Sequence, residues 1–585
     1  MAENETRSLL GTELKQLTFG WTDYTLFSSL LGISVLIGIY FGFFDKKQDS
    51  TTEYLLGGKT MSCFPVSMSL VASHISAVSL LAIPVEVYQY GTQYAVCIFT
   101  SLITCTLVSL IYIPVFYKLQ TTSSFEYLEL RFTRSVRIFA SFLYTFSLII
   151  YVPLIIYVPA LAFSQATSIN LYLLTPIICT VCTFYTTIVS YSDYNYFSNS
   201  FREHCMVAIT TITQISHRWI VNNDTRCYNT MDPSPFVRNS FWGMSVGMTI
   251  TWLTGLGINQ SSVQRFLAVP NVKEAHKAMA SMGVCIVIVK WVSVFTGLIM
   301  YARYHKCDPI STHVISRSDQ LLPYYVLDVA ANIPGLPGLF LAGLVSAGLS
   351  TMSAALNTVA GTIYEDFIDS WLPDSSNKEN RAARIMKVIV VVIGVICMVM
   401  VFVVDRLGDI FRASLVLHGI TAGAMLGIFT LGMLVPWATS KGVIVGGLTS
   451  MLFMIWLIVG AQVNMVQKRL VYPPLPMSTE NCSNHTVFNQ TTTHTADIPA
   501  DGEEKPFVLF TISFMYYSLC GFLISMVIGT VVSFMTGAND LKEVERNHFP
   551  PFIQRFLPPK KYTEVPMHAI PTALVASPEK EKLNL

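Results

Sequence analysis

Long apolar runs dominate this 585-residue chain and leave few folds open to it. Inside a bilayer every backbone amide needs a partner within the protein, so an apolar run long enough to cross about 30 Å of hydrocarbon forms a helix. One other segment, 204–220, is shorter and more polar than the apolar runs of spanning length. The chain therefore predicts an all-α polytopic membrane protein. The apolar runs of spanning length are 24–44, 62–85, 93–116, 136–163, 170–190, 238–260, 279–302, 336–362, 385–404, 409–435, 440–462 and 507–535.

Composition excludes several classes of function. Only 12% of the residues are charged, against about 25% in a soluble domain. The net charge of +1 gives no reason to expect a nucleic-acid partner. The twelve cysteines are scattered, mostly within apolar segments, where we expect small core residues rather than metal ligands. No nucleophile–base pair or phosphate-binding glycine-rich loop is evident, so we do not expect an enzyme. The expected partners are the lipid bilayer and a small molecule.

Two independent signals indicate the sidedness of the loops. Sequons at Asn481, Asn484 and Asn489 cluster in the polar loop 463–506, which predicts a glycosylated extracellular loop. Further sequons begin at Asn4 and Asn223. Basic residues gather on the opposite side when the N-terminus is outside. Asn4 and Asn223 share a side only if 204–220 also crosses the membrane. The basic segments are 45–61, 117–135, 262–278, 364–387 and the C-terminal tail.

We expect a multi-pass protein of the plasma membrane, and the sidedness of its loops divides the chain into three parts. Residues 1–23 are expected to be extracellular, 24–535 to form the transmembrane domain, and 536–585 to be a cytoplasmic tail with little structure of its own. Three cysteines fall in loops assigned to the oxidising side, where disulfides persist. We expect at least one pair among them, with the pairing left open. They are Cys227, Cys307 and Cys482.

One predicted helix, 336–362, carries the hydroxyl pair Ser350 and Thr351 among small residues. Polar side chains inside a span are costly and usually face a pathway or a partner. Hydroxyl and carbonyl oxygens are the hard ligands that a small cation such as Na⁺ needs. The alternative is close helix packing, with both hydroxyls bonded back to their own helix.

Several motifs resemble those of a known transporter family. SSFEYLELRF (123–132), GINQSSVQR (257–265) and the stretch 334–357 resemble the sodium/solute symporters related to the sodium–glucose cotransporter. Four shorter pieces are most similar to its sodium-coupled monocarboxylate and multivitamin branch. They are PVEVY (84–88), CDP (307–309), DQLLPY (319–324) and PLPMST (474–479).

This resemblance implies a fold and an activity. The fold would have about 13 transmembrane helices, an outward N-terminus and a LeuT-like core of two inverted five-helix repeats. The activity would be sodium-coupled symport of a small organic anion, such as a monocarboxylate, biotin or pantothenate, by alternating access. The co-transported ion would be Na⁺.

The resemblance also implies a sodium site. Its ligands would be the backbone carbonyls of Ala72, Ile75 and Ala347 and the hydroxyls of Ser350 and Thr351. In such folds two helices are unwound at the midplane. The candidates here are 77–84, with proline and hydroxyls, and 251–259, with two glycines. A proline kink and a glycine packing face are the alternatives.

Polar residues in or near these segments are candidates for binding the substrate. Lys290 lies mid-span, where close relatives have an apolar residue, and a substrate carboxylate would offset its cost. Alternatively, it reaches a backbone carbonyl or internal water. His74 corresponds to a polar substrate contact in the glucose carriers, and His418 recurs in some monocarboxylate carriers. Either histidine is otherwise a hydrogen-bonded core residue. The full set is His74, Ser76, Ser79, Trp252, Asn259, Lys290 and His418.

Segment 187–220 departs from the family pattern. Relatives carry a Gly-Gly-Leu-Lys turn followed by a Trp-Thr-Asp motif, whereas this chain reads IVSYSDYNYF at 188–197. Asp193 does not match the aspartate of that motif, so the resemblance implies no additional sodium site. The divergence motivates one rival hypothesis, a non-transporting homologue that acts as a sensor or inactive paralogue. The other rival is a sodium symporter for iodide, sugar or choline.

The sequon cluster generates the first prediction. Replacing Asn481, Asn484 and Asn489 together by Gln is expected to lower the apparent mass on a gel, because three N-glycans are lost. The measurement is electrophoretic mobility of cell-surface protein, with and without glycosidase. Unchanged mobility would place the 463–506 loop on the other side or leave it bare.

Overall fold

The described part of the chain is helical. The computed structural model describes residues 19–44, 61–121, 123–188, 232–330, 333–373, 378–404, 409–475, 477–479, 482, 506–542 and 544–558. These residues contain no β-strand. Every one of the twelve apolar runs contains a helix, and the run 62–85 is divided between two, which confirms the all-α prediction. The segment 204–220 and the departure at 188–197 lie outside the described residues, except for Ile188, the last residue of its helix.

Helices of membrane-spanning length make up most of the described chain. Eight of them (α4, α6, α10, α12, α13, α14, α15 and α16) are long and apolar enough to cross a membrane, and the bent pair α2 and α3 together forms a ninth candidate. The helices are α1 Trp21–Phe44, α2 Cys63–His74, α3 Ala77–Tyr90, α4 Thr92–Leu119, α5 Glu126–Arg131, α6 Arg134–Thr167, α7 Leu171–Ile188, α8 Gly243–Ile258, α9 Gln260–Leu267, α10 Val272–Tyr304, α11 Leu321–Ala330, α12 Leu336–Ile363, α13 Lys378–Val404, α14 Ile410–Leu434, α15 Ser440–Val466, α16 Tyr517–Met535 and α17 Pro551–Gln554.

Helix α12 contacts several of the helices that precede it in the chain. It packs against α6 and α1 and also touches both α2 and α3. Close approach to α6 depends on Gly348, because a Cβ there would lie 2.5 Å from Cγ of Pro159. Small residues at such crossings let helix backbones come together where lipid provides no hydrophobic driving force. The packing places Ser350 and Thr351 on a helix that contacts both halves of the bent pair.

A buried ion cluster joins three helices at one end of the bundle. Arg238, just before α8, donates two hydrogen bonds to the carboxylate of Glu86 on α3, at 2.9 and 2.7 Å. The same guanidinium pairs with Asp409, the N-cap of α14. Arg238 and Glu86 are almost completely buried. Removing one partner from such a cluster leaves an uncompensated buried charge, which typically costs about 3–5 kcal/mol.

A disulfide fastens the start of the 463–506 loop over this end. Cys307 and Cys482 are bonded, with their Cα atoms 5.1 Å apart. The backbone of Ser478 exchanges hydrogen bonds with Asp308 and His305, at 3.2 and 2.9 Å. The structure thus selects one of the three possible cysteine pairs. Cys227 and the sequon residues Asn4, Asn223, Asn481, Asn484 and Asn489 lie outside the described residues.

The first part of the C-terminal tail differs from expectation. Phe549 is 1% exposed and covers the guanidinium of Arg131, 5.0 Å from the ring centroid. The hydroxyl of Tyr127 donates to the carbonyl of His548 at 3.3 Å. Residues 537–542 and 544–558 therefore pack against the bundle, an ordering that the sequence did not predict. Its isolated apolar residues among prolines show no periodicity, and they fold only because α5 and the end of α14 offer a surface.

This docking generates a truncation prediction. Deleting 541–585 is expected to lower the apparent Tm in detergent, since burial of a single phenylalanine contributes about 1.5–3 kcal/mol. Deleting only 559–585 keeps the docked segment and serves as the control. The measurement is fluorescence-detected thermal unfolding of both variants. Equal Tm values would show that the docked segment contributes nothing to stability.

Candidate functional site

Two membrane helices are broken near the centre of the bundle. Helix α2 ends at His74 and α3 begins at Ala77, with a bend of 59° between them. Helix α8 ends at Ile258 and α9 begins at Gln260, with the intervening Asn259 in an extended conformation. At both points the regular i to i−4 hydrogen bonding stops, so main-chain groups become available to other partners.

The first break lies slightly before the predicted segment 77–84. Pro84 lies inside α3 and does not interrupt it. The break occurs at Ile75 and Ser76 because Ser76 caps the new helix. Its oxygen accepts from the amide of Ser79 at 3.4 Å, while the Ser79 hydroxyl donates to the Ser76 carbonyl at 2.8 Å. Such local side-chain bonds replace the lost helical ones. These bonds give Ser76, a predicted substrate residue, the role of a helix cap.

The second break lies at the end of the predicted segment 251–259. Asn259 is the N-cap of α9, and its side-chain oxygen accepts from the amide of Ser261 at 3.0 Å. The Tyr144 hydroxyl lies 3.5 Å from the same oxygen. Asn259 therefore has a structural role at the break. The glycines before it permit close packing, since a Cβ on Gly257 would lie 3.1 Å from the Tyr112 ring.

His74 connects the two breaks. Its Nδ1 lies 2.9 Å from the carbonyl oxygen of Leu70, and its Nε2 lies 3.3 Å from the carbonyl oxygen of Gly255. Both ring nitrogens therefore face main-chain carbonyls. This arrangement matches the alternative in which the histidine is a hydrogen-bonded core residue, although the ring also lines the cavity described below.

Arg265 is a second connection, and the motif at 257–265 alone did not indicate its role. From α9 its guanidinium donates to the carbonyl of Ser69 at 2.9 Å and to the hydroxyl of Ser73 at 2.6 Å. Both acceptors belong to α2. An arginine beside a helix break is the signal that could have identified it, because broken helices leave carbonyls that a guanidinium can satisfy.

The predicted sodium ligands lie on elements that touch. Ala72 and Ile75 are at the end of α2, and Ala347 lies on α12, which contacts α2 and α3. The hydroxyls of Ser350 and Thr351 donate to the Ala347 carbonyl at 3.2 and 2.9 Å. These are the bonds expected of the packing alternative. They do not exclude cation binding, because each hydroxyl keeps its lone pairs after donating its hydrogen.

A partly enclosed cavity lies beside the first break. Its empty space is about 310 Å³, counting the part that opens at its mouth. Four predicted substrate residues line it: His74, Ser79, Trp252 and Lys290. The remaining wall is mostly aliphatic. Those other lining residues are Ile75, Leu80, Ile83, Ile286, Val289 and Ser293.

Lys290 is the cavity's charged residue. Its ammonium donates to the carbonyl of Cys97 at 3.1 Å and to the hydroxyl of Ser101 at 2.7 Å. It also lies 4.3 Å from the centroid of the Trp252 ring, within the range of a cation–π interaction. Within the described ranges it makes no ion pair with a carboxylate. The predicted alternative of a lysine that reaches a backbone carbonyl is therefore realised, but at a cavity wall.

Trp252 and His418 are the two remaining candidate residues, and the structure places them differently. The indole N–H of Trp252 is buried and has no acceptor among the described residues. Buried donors normally have a partner, so this one calls for an explanation. His418 lies apart from the cavity lining and packs edge-on against Tyr151, with ring centroids 6.2 Å apart.

Comparison with known proteins identifies the class. The model of the "Sodium:solute symporter family" matches residues 54–450. The chain belongs to the sodium:solute symporter family. The mouse sodium-coupled monocarboxylate transporter 2 is 34% identical, with 89% of this chain and 85% of the relative covered. The rabbit sodium-dependent multivitamin transporter is 33% identical over 89% and 83%. The resemblance inferred from motifs is confirmed.

A solved structure agrees on the fold. A substrate-bound, outward-open Na⁺-coupled sialic acid symporter matches with a TM-score of 0.65 and 19% identity. The match covers 89% of this symporter and 99% of that chain. The protein is thus a multi-pass membrane transporter of a small molecule, and Na⁺ is its co-transported ion. Its relatives are transporters, so the expectation of a non-enzyme holds.

Proposed function

We propose that this symporter uses sodium to carry a small organic anion with one carboxylate, such as a monocarboxylate or a vitamin acid, across the plasma membrane. The observation that carries the proposal is the Lys290 ammonium at the wall of an otherwise mostly apolar cavity. The printed names of the relatives, which include monocarboxylate and multivitamin transporters, support the same substrate class. The rabbit and mouse proteins share about a third of their residues with this chain.

Electrostatics favours an anion over a neutral substrate. Lys290 is 3% exposed, and a buried ammonium is costly unless it is paired and hydrogen-bonded. Its partners here are a carbonyl, a hydroxyl and an aromatic face, none of which carries a net negative charge. A carboxylate entering the cavity would provide that charge. A sugar would provide only dipoles, and choline would add a second cation.

The aliphatic wall restricts the rest of the substrate. Ile75, Leu80 and Ile83 line one side, and Ile286 and Val289 line another. These side chains offer no hydrogen-bond partner, so a polar group placed against them would lose its hydration without compensation. The cavity therefore suits a substrate with one anionic group and a short, mainly apolar remainder.

We propose further that sodium binds the carbonyls of Ala72, Ile75 and Ala347 with the hydroxyls of Ser350 and Thr351. Ile75 gives this ion site a physical link to the substrate, because the residue lines the cavity and its carbonyl would bind the ion. Sodium would hold the first break in one conformation and so stabilise that part of the cavity wall. A ligand shifts a conformational equilibrium by its difference in affinity between the states.

The core is proposed to contain two inverted five-helix repeats within about 13 transmembrane helices. In this topology the N-terminus is extracellular, the C-terminus cytoplasmic and the 463–506 loop glycosylated.

Two rival functions remain to be tested: a symporter for iodide, sugar or choline, and a non-transporting homologue. A sodium-dependent uptake screen with short monocarboxylates, biotin, pantothenate and iodide separates them. Uptake of none of these would favour the non-transporting homologue.

The substrate proposal predicts the effect of Lys290→Met. This variant keeps side-chain length and removes the charge, so the KM for a monocarboxylate is expected to rise about tenfold, equivalent to about 1.4 kcal/mol. The sodium concentration for half-maximal uptake should change little. The matched control is Lys277→Met on the same helix, where the lysine side chain is 67% exposed. Wild-type affinity in Lys290→Met would show that the lysine is structural.

The sodium proposal predicts the effect of replacing Ser350 and Thr351 together by Ala. Loss of two oxygen ligands is expected to raise the sodium concentration for half-maximal uptake at least fivefold, or about 1 kcal/mol. Thr358→Ala is the control, because Thr358 lies on α12 and its hydroxyl makes the same kind of bond, to Ala354 at 2.8 Å. Uptake is measured against sodium at fixed surface expression. Unaltered sodium dependence would leave the hydroxyls with a packing role alone.

A further inference from the structure

Helix α4 supplies the groups that hold the Lys290 ammonium. Ser101 and Cys97 are four residues apart, so they lie one above the other on the same face of α4. The Ser101 hydroxyl donates to the Cys97 carbonyl at 3.2 Å, which leaves its oxygen lone pairs to accept from Lys290 at 2.7 Å. Ser101 is 4% exposed. Lys290 lies on α10, nearly two hundred residues further along the chain.

Counting donors shows what this arrangement leaves for a substrate. A lysine ammonium has three N–H donors and no acceptor. Two of them are taken by Ser101 and the Cys97 carbonyl. The Trp252 face lies 4.3 Å away and attracts the cation without accepting a conventional hydrogen bond. One N–H therefore remains for an incoming carboxylate oxygen.

We infer that Ser101 is a positioning residue that fixes the Lys290 ammonium at the cavity wall and so determines how strongly the site prefers anions to neutral molecules. This inference rests on the proposed function, because it assumes that Lys290 meets the substrate. A lysine has four rotatable side-chain bonds, and a free one would have to lose that freedom when the anion binds. Ser101 orders the ammonium beforehand, which is how preorganisation increases affinity.

Trp252 fits the same arrangement. Its ring lies against the Lys290 ammonium, and its indole N–H is a buried donor with no acceptor among the described residues. A carboxylate has two oxygens, so it can accept from the ammonium and also from a second donor. The primary amide of the same acid offers one carbonyl oxygen and no negative charge. Comparing the acid with its primary amide therefore tests whether the site recognises the negative charge.

The test compares Ser101→Ala with wild type in sodium-dependent uptake of butyrate, with butyramide as the neutral competitor. The KM for butyrate is expected to rise about three- to tenfold, with a small change in maximal rate. The preference for butyrate over butyramide should fall by a similar factor. Half-saturation by sodium should stay within about twofold. A merely structural role of Ser101 would not alter the ratio of anion to amide.

The control is Thr104→Ala. Thr104 is fully buried on α4, and its hydroxyl donates to the carbonyl of Thr100 at 2.8 Å, with no hydrogen bond to Lys290. This variant should transport as wild type does. Ser101→Cys keeps the side-chain size but offers a weaker acceptor, so an intermediate KM is expected. If Ser101→Ala does not reach the cell surface, the KM and selectivity of Ser101→Cys test the role of Ser101 instead.

A double-mutant comparison separates this inference from the proposed function. In a Lys290→Met background, adding Ser101→Ala should have no further effect on the preference for butyrate over butyramide, since the ammonium that Ser101 positions is gone. If Lys290→Met weakens anion uptake while Ser101→Ala has wild-type KM and selectivity, only the role of Ser101 is overturned. If Lys290→Met itself has no effect, both are overturned.

Discussion

Inside hydrocarbon a main-chain amide or carbonyl must find its partner within the protein, and the rest of this structure depends on that constraint. Along most of the described chain the partner lies in the same helix. At Ile75–Ser76 and at Asn259 the helix is interrupted, and short polar side chains cap the helices that follow: Ser76 caps α3 and Asn259 caps α9. His74 and Arg265 then bond to carbonyls near the breaks. The cavity lies beside the first of these breaks.

Two buried cations illustrate different uses of charge in the same bundle. Arg238 is held by the carboxylates of Glu86 and Asp409 and joins three helices. Its charge is compensated within the described structure, so it has no need of a ligand. Lys290 has only neutral partners. Because its compensation is incomplete, the proposed preference for an anionic substrate rests on this residue. The difference between the two residues lies in their partners.

The links across the breaks suit a symporter. Arg265 joins α9 to α2, and His74 joins α2 to the end of α8. The two broken helices are therefore connected to each other on both sides of the interruption. If sodium binds at Ile75 as we propose, these hydrogen bonds are the direct contacts through which the second break would respond. Such coupling requires discrete alternative arrangements that both ligands bias.

The sequence alone determined the features that depend on local composition. Apolar runs of about twenty residues have one stable form in a bilayer, so all twelve were recognisable as helices. The unusual residues were visible for the same reason: a lysine in the middle of a span, or a hydroxyl pair among small residues, contrasts with its neighbours. Motifs identified the family.

Only the tertiary structure decided which partners these residues have. Lys290 meets Cys97 and Ser101 across 193 and 189 residues. Arg238 meets Glu86 across 152, and Phe549 covers Arg131 from a tail that shows no pattern of its own. A single sequence contains no local signal for such contacts, because they depend on which helix faces lie together. The position of the first break was likewise decided by Ser76 as a cap rather than by Pro84. Helix formation is a local consequence of the solvent, whereas the chemistry of the cavity is set by packing.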